Sequence, residues 1–346
     1  MKTAIFFCLL GLLSTACADK PKKEKATVLK PVSMDLGDGK SVNTVAFSPD
    51  GKTLITGGEN KRIKLVDLET RKVVWTSEEQ PDAVLSVSIS PDGRFFAATC
   101  GDNTQQTAQV VLYDMGTKKE MWGRKNLVNN VQLVRFSPDG NKVYVANHYH
   151  ITVHETTTGK QLYYFSGHPA DVAAPSGHVD AVTDFAFTGD PDKFVTVGWD
   201  KNVKVWDLKA GREIKNFPEA DAINACFLED GDNLIVTAGA GGLHVWNRTT
   251  ARIERSVAHK SEIKGLAIAG RYFVTIDEAM AVSIWDQTDL KLLNSIADAH
   301  DLGIWGISSS PDGKWIATTG GAGVVKLWSI AYLLNPPVPA SEKTSP

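Results

Sequence analysis

Three histidines crowd into His148-Tyr149-His150-Ile151-Thr152-Val153-His154, and neutral imidazole is the commonest protein ligand for transition metals. In an extended strand alternate residues share a face, so His148, His150 and His154 have the same parity. His148 and His150 flank a turn from which two rings reach one Zn²⁺ or Cu²⁺. No neighbouring Asp, Glu or Cys completes the coordination, and His154 falls where other units of the chain carry Trp. The set therefore reads as packing, with a metal site as the weaker alternative. Asp190-x-Asp192 and Asp230-Gly231-Asp232 have the spacing of calcium-loop fragments but sit in hairpin turns. Gly239-Ala240-Gly241-Gly242 and Gly320-Gly321-Ala322-Gly323 are turns rather than phosphate cradles, because no helix start follows them. Gly51-Lys52-Thr53 lacks the earlier glycine of a nucleotide-binding loop. Neither His-Glu-x-x-His nor Gly-x-Ser-x-Gly occurs. These residues imply no catalytic group and no cofactor.

The elements that carry these residues repeat. A short strand ends at Val66-Asp67, Tyr113-Asp114, His154-Glu155, Trp206-Asp207, Trp246-Asn247, Trp285-Asp286 and Trp328-Ser329, a period of roughly 40 residues. A second signal stands in register with it. Ser48-Pro49-Asp50-Gly51, Ser90-Pro91-Asp92-Gly93, Ser137-Pro138-Asp139-Gly140 and Ser310-Pro311-Asp312-Gly313 are one turn used four times, with Pro presetting φ and Gly taking the left-handed position. The fullest unit opens at Gly177-His178, alternates Phe185 and Phe187, and continues as Lys193-Phe194-Val195-Thr196-Val197, Trp199-Asp200 and Val203-Lys204-Val205-Trp206. Such a unit cannot bury both faces of its sheet alone; only a ring closes the core.

These motifs resemble WD40 repeats. The resemblance implies an all-β fold, a single seven-bladed WD40-like β-propeller closed by the N-terminal strand. It further implies a buried tetrad of His178, Thr196, Asp200 and Trp206. The turn-Asp position holds Asn60, Thr107, His148, Ala240, Ala279 and Ala322 elsewhere, so the other blades are expected to rely on apolar packing and ladders. After Trp328 the chain lacks a fourth strand before Asn335-Pro336-Pro337, and Thr27–Met34 is predicted to supply it. The propeller then spans 27–334, followed by a Pro-rich tail, 335–346, predicted to be disordered. Asp67 to Trp75 and Asp114 to Trp122 are similar to the Trp-docking repeats of quinoprotein-like propellers, including outer-membrane protein-assembly lipoproteins. That likeness implies that Trp75 and Trp122 pack on the adjacent blade; the later units do not repeat it. A quinone enzyme would need cation ligands, and nothing marks them.

Met1-Lys2 and the apolar run Ala4 to Leu13 read as a signal peptide, 1–16, too short to span a membrane. Leu13-Ser14-Thr15-Ala16-Cys17 resembles a bacterial lipobox with Ser14 where the family has Leu, which implies acylation of Cys17. The competing reading is cleavage after Ala18. Residues 17–26 form a polar tether. With Ala18 after the cysteine, the pattern implies a periplasm-facing lipoprotein held in the outer membrane rather than the inner. Cys100 and Cys226 are expected to be buried free thiols. The net charge of −3, with no basic stripe, argues against nucleic acid.

In a propeller the start of each first strand and the second-to-third-strand turns gather at one mouth of the central channel. The residue after each first core position gives Asn43, Leu85, Gln132, Thr183, Asn224, Lys264 and Trp305, with Trp199 in a turn on the same face. This ring is largely neutral and polar, with one cation and one large aromatic and without Asp, Glu or His, and suits protein or peptide contact. The two tryptophans are exposed anchors on this reading; alternatively Trp305 plugs the channel and Trp199 packs on a neighbour. The insertion 167–176 is a partner arm or a tolerated loop. The expected function is a non-enzymatic, monomeric scaffold that binds envelope proteins or peptides and reaches the membrane through a lipid anchor. The alternatives are a lactonase- or quinoprotein-like enzyme, or an outer-membrane protein-assembly lipoprotein.

Overall fold

The computed structural model describes residues 30–336, apart from 38, 102–107, 126, 128–130, 167–176, 189, 191, 219–221 and 228–233, and of 166, 218 and 222–227 it describes the backbone alone. The predicted signal peptide, Cys17, the tether, the 167–176 insertion, Asp230-Gly231-Asp232 and residues 337–346 lie outside the described residues.

Seven antiparallel sheets of four strands form a β-propeller. Blades 1 to 6 run along the chain as 42–76, 84–124, 131–166, 182–218, 222–257 and 263–296, each with its strands in chain order. Blade 7 takes three strands from 304–329 and its outer strand from Val32–Asp35. The second and third strands lie between neighbouring blades on both faces, so their β-branched runs are buried continuously: every residue from Phe194 to Gly198 is buried. Outer strands face water instead: in Lys72–Thr76 every residue but the partly buried Trp75 is exposed. Among the described residues no helix is long and apolar enough to cross a membrane.

The closing strand pairs Val32 with Leu327, Ser33 with Lys326, Met34 with Val325 and Asp35 with Val324. Pro31 stands just outside the ladder, where its missing N–H costs nothing. Met34 and Leu36 are buried among blade 1 residues Val42, Val45, Leu54 and Val66 and blade 7 residues Ala317, Val325 and Leu327. Lys64 Nζ then donates to the Leu36 carbonyl at 2.7 Å. One element absent from the expectation follows the last strand: a five-residue helix, Ile330–Leu334. Ser329 caps it, its Oγ accepting from the Tyr332 amide at 3.1 Å, and Ile330 and Leu333 are buried against blades 6 and 7. A helix this short leaves no periodicity to read.

Successive blades are joined at one repeated position. The side chain opposite Leu65, Leu112, Val153, Val205, Val245 and Ile284 belongs to Trp75, Trp122, Tyr163, Lys215, Arg255 and Asn294 respectively. Trp75 meets Phe96 and Tyr113 of blade 2 edge-on at 5.6 and 5.8 Å. Trp122 lies 5.9 Å from the His154 ring and donates its indole N–H to the Thr156 carbonyl at 2.7 Å. Tyr163 packs on the cluster holding Trp206 and Leu208. Lys215 donates to the carbonyls of Arg248, at 2.9 Å, and Thr249. Arg255 Nη1 donates to those of Gln287, at 2.6 Å, and Thr288. Asn294 Nδ2 donates to Leu333 at 2.7 Å. The predicted docking of Trp75 and Trp122 is therefore present. The later units do not repeat the tryptophan but keep the position, with an aromatic ring at Tyr163 and a side chain with a donor tip at Lys215, Arg255 and Asn294.

If closure carries stability, Met34→Ala should lower the unfolding free energy by about 2–5 kcal/mol in urea melts. Ser33→Ala, on the exposed face of the same strand, should stay within about 0.5 kcal/mol. Equal effects would mean that the strand contributes no packing.

Candidate functional site at the channel mouth

Each first strand carries a β-bulge near its start, where one residue has no partner on the second strand. The unpaired residue is Asn43, Leu85, Gln132, Thr183, Lys264 and Trp305 in blades 1, 2, 3, 4, 6 and 7. A bulge turns its side chain out of the sheet, and here all of these residues line the central channel, a cavity of about 430 Å³. Blade 5 differs from the expectation. Asn224 pairs with Ala238, and the register shift falls between Ala222 and Asn224, which puts residue 223 at the bulge. Asn224 follows only when Ile223 is counted as the first core position in place of the small Ala222. Counting four residues back from the last strand residue, Phe227, finds the bulge, as it does from Phe47 to Asn43.

Below the mouth, neighbouring first strands are stitched by side chains. Asn43 Nδ2 donates to the Val84 carbonyl at 3.2 Å, and Ser86 and Ser88 hydroxyls accept from the Val134 and Phe136 amides at 3.3 Å. Arg135 reaches Ser86 Oγ at 3.3 Å and Asp184 at 3.5 Å. The expectation of a channel free of acidic groups thus holds for the bulge positions and fails one residue along, because Asp184 also lines the wall. Its Oδ1 additionally accepts from the Phe185 amide at 2.9 Å. These residues do not fit a quinone cofactor with its cation. Among the described lining residues the one carboxylate is held by Arg135, and no group of three or more His, Cys, Asp or Glu side chains gathers among the described residues.

The two tryptophans are both exposed but differ in setting. Trp305 lies on the channel wall with 54% of its surface exposed. Its indole lies over Gly303, whose φ is +90 and where a Cβ would stand 2.8 Å from Cζ2. The Gly303 amide donates to Met280 Sδ at 3.2 Å. Beside it Leu302 is exposed as well. Trp199 is 58% exposed, in the turn of blade 4, and its amide donates to the Ala181 carbonyl at 2.9 Å. It does not line the channel, so the structure does not bring the pair into one pocket.

The tetrad is complete in blade 4. Trp206 Nε1 donates to Thr196 Oγ1 at 2.8 Å, Thr196 Oγ1 contacts His178 Nε2 at 2.6 Å, and His178 Nδ1 meets Asp200 Oδ1 at 2.9 Å. Burial alone would raise the Asp200 pKa; the hydrogen bond and charge of His178 outweigh it and hold the carboxyl below its ordinary value. The expectation that other blades abandon this chemistry is too severe. Trp246–Thr237, Trp285–Thr275 and Trp328–Thr318 repeat the indole bond at 3.0, 2.9 and 2.8 Å. His300 Nε2 reaches Thr318 at 2.8 Å, and His259 reaches Asp277 at 2.8 Å. The missed signal is Ala258-His259 and Ala299-His300 standing where blade 4 has Gly177-His178.

The histidine run is dispersed. His148 stacks on Tyr149 at 4.0 Å, His150 Nδ1 meets Tyr164 OH at 3.0 Å, and His154 is buried with Nε2 at 3.0 Å from Thr152 Oγ1. Burial pushes the His154 pKa down. Packing is its role. Cys100 is a buried free thiol, pushed up to about 12 by burial; the Cys226 side chain lies outside the described residues.

Comparison with known proteins fits this architecture. A family model described as outer membrane protein assembly factor BamB matches residues 59–291, and one described as WD domain, G-beta repeat, matches 30–67 and 291–329. Periodic tryptophan protein 2 homolog of Dictyostelium discoideum is 25% identical over 237 residues, covering 66% of this chain and 24% of that protein. The Drosophila melanogaster protein LST8 homolog is 29% identical over 159 residues, covering 42% of this chain and 51% of that protein. The 77 kDa echinoderm microtubule-associated protein of Strongylocentrotus purpuratus is 26% identical over 153 residues, 42% of this chain and 22% of its own. The chain thus spans about half or less of these relatives.

Burial, reinforced by the charge of Lys326, lowers the His300 pKa from 6.5 to about 4. The unfolded chain then binds a proton that the folded chain refuses, so stability should fall as pH drops from about 6.5 to about 4. His300→Gln should flatten that part of the profile in thermal melts. An unchanged slope would mean that His300 titrates normally in the fold.

Proposed function

This chain belongs to the family described as outer membrane protein assembly factor BamB, with WD40 repeats at the blades where the ring closes, and we propose that it is a non-enzymatic envelope scaffold. In this reading it binds partner proteins or peptides on the channel-mouth face. The observation that carries it is the exposed indole of Trp305, set over Gly303 beside exposed Leu302 and above a polar channel. Half-exposed aromatic anchors with a polar surround are the composition of protein-binding hot spots. Trp305 is also held in place before any partner arrives, which reduces the side-chain ordering lost on binding. Asn43, Gln132, Thr183 and Lys264 form the polar surround, with Leu85 an apolar member of the same ring, and Trp199 offers a second, separate anchor. The enzyme alternative is disfavoured by the engagement of Asp184 with Arg135, since a general acid or base must be free to reach substrate.

We infer the location from the leader. Signal-directed export followed by acylation of Cys17 would tether the propeller to the periplasmic side of the outer membrane, each buried methylene contributing about 0.8 kcal/mol. An assembly role like that in the family's description is the natural context for such a scaffold.

Two measurements test this. Trp305→Ala combined with Trp199→Ala should weaken captured envelope partners by about 30-fold or more, the loss of a ≥ 2 kcal/mol anchor, while the melting curve stays close to wild type. An unchanged partner set would remove the channel mouth from consideration. Separately, Cys17→Ser should move the protein from the membrane pellet to the soluble fraction and abolish incorporation of labelled palmitate; retention in the pellet without label would point to a different attachment.

A further inference from the structure

The seam between blades 7 and 1 breaks the pattern of the others. There the residue opposite Leu327, in the register that elsewhere seats Trp75, Trp122, Tyr163, Lys215, Arg255 and Asn294, is Val32. Val32 packs on the cluster that holds Leu54 and Val66, but a valine has neither an aromatic ring nor a donor for the turn carbonyls. The result is a groove of about 590 Å³ walled by Val32, Phe47, Leu68, Trp315 and Leu327. Leu68 and Arg71, which also border it, stand where Thr156 and Gly159 receive Trp122 in blade 3. It is the docking seat itself, without its occupant.

The filled seams indicate what the seat takes. Where the residue after the Trp-Asp-like pair is Met115, Thr156 or Leu208, the seat holds an aromatic ring, Trp75, Trp122 or Tyr163. Where it is Arg248, Gln287 or Ile330, the seat holds Lys215, Arg255 or Asn294. The apolar walls Phe47, Leu68, Trp315 and Leu327 place the empty seat in the first class. Trp122 adds that an indole N–H can bond the carbonyl of that same residue, and its counterpart here is the Leu68 carbonyl.

The occupant must come from elsewhere. All nine tryptophans and seven tyrosines of the chain lie among the described residues, and the segments 1–29 and 337–346 contain none. The geometry points to a partner-binding site at this seam, independent of the channel mouth, which receives a tryptophan side chain presented by a short extended segment of another protein. The indole would lie between Phe47, Leu68 and Trp315 and donate to the Leu68 carbonyl, completing in trans the joint that six other seams make in cis. At the rim Asp312 is already paired with Lys314 at 3.3 Å and Arg71 is the one cation of the lining, so Asp50, held ionised by the Ser48 hydroxyl, is the carboxylate that would favour a basic residue flanking the tryptophan.

The test uses the full chain and a blocked Lys-Ser-Trp-Ser-Lys peptide carrying 5-fluorotryptophan, followed by ¹⁹F NMR. Saturable binding is expected to wild type and, unchanged, to the Trp199→Ala plus Trp305→Ala double variant. Val32→Trp, which fills the seat from within, should weaken binding at least tenfold; Leu68→Lys, at a partly exposed wall position, should do the same should Val32→Trp fail to fold. Absence of saturable binding, or equal binding to both seat variants, would overturn the proposal. So would a concentration-dependent self-association that the double tryptophan variant dissolves, because the occupant would then be a second copy.

Discussion

The structure depends on one constraint: no blade can bury both faces of its sheet except between two others. The two middle strands of every blade are apolar on each side, so an open arc would leave two such faces in water. At about 25 cal/mol per Å², exposing even a few large side chains on a face costs several kcal/mol, which is the scale of a domain's whole stability. Closure by Val32–Asp35 is therefore a condition for every other blade. It also ties the start of the described chain to its last strand, so the joint carries contacts of the longest sequence separation in the fold.

Given a ring, the blades must be held at a fixed rotation about the axis, and two devices do this. Within blades 4 to 7 an indole N–H is satisfied by a buried threonine hydroxyl, which avoids the roughly 1–3 kcal/mol cost of an orphaned donor. Between blades, a single register position on each outer strand reaches into the next turn. Blades 1 to 3 lack the indole bond and instead bring in aromatic packing: Trp75 with Phe96 and Tyr113, and Trp122 with His154. In blade 2, Gln80 Nε2 donates to Tyr113 OH at 3.3 Å and its Oε1 accepts from Gln109 at 2.8 Å, so a glutamine covers the histidine's place. The family matches divide differently, the WD repeat model covering the two ends and the BamB-described model the middle, so the indole bond runs across both.

Much of this was legible in the sequence because turns are local. Ser-Pro-Asp-Gly fixes its own conformation, with Ser48 Oγ bonding Asp50 and receiving the Thr53 amide, and so it reads the same wherever it occurs. The bulge ring was legible for the same reason, since it lies at a fixed distance from those turns; it failed only in blade 5, where Ala222 is too small to register as core. What stayed hidden depends on contacts across blades. Lys215, Arg255 and Asn294 look like ordinary exposed residues of outer strands, and only the neighbouring turn reveals their role. Asp184 was missed because the side of the strand it faces is set by the bulge, which shifts the alternation of side chains by one residue. The capped helix Ile330–Leu334 is a response to the groove beside blade 6, and no residue pattern announces it.

Repetition turns each departure from the pattern into information about function. A residue that occupies the same register in seven blades reports the mean requirement of the fold, and the blade that deviates has been released from that requirement or put to another use. Trp305 is such a deviation: the same position holds Asn43, Leu85, Gln132, Thr183 and Lys264 in blades 1 to 4 and 6, none of them aromatic. A large apolar side chain there is not needed to fill the channel, because the channel stays open with half of the indole in solvent. Gly303 at φ +90 then has a reason, since any Cβ would collide with the indole where it lies. The same logic applies at Val32, where the shortest side chain in its series stands at the one seam built from both ends of the propeller. Closure explains why a strand is there; it does not explain why that strand, alone among the seven, leaves the next turn unfilled.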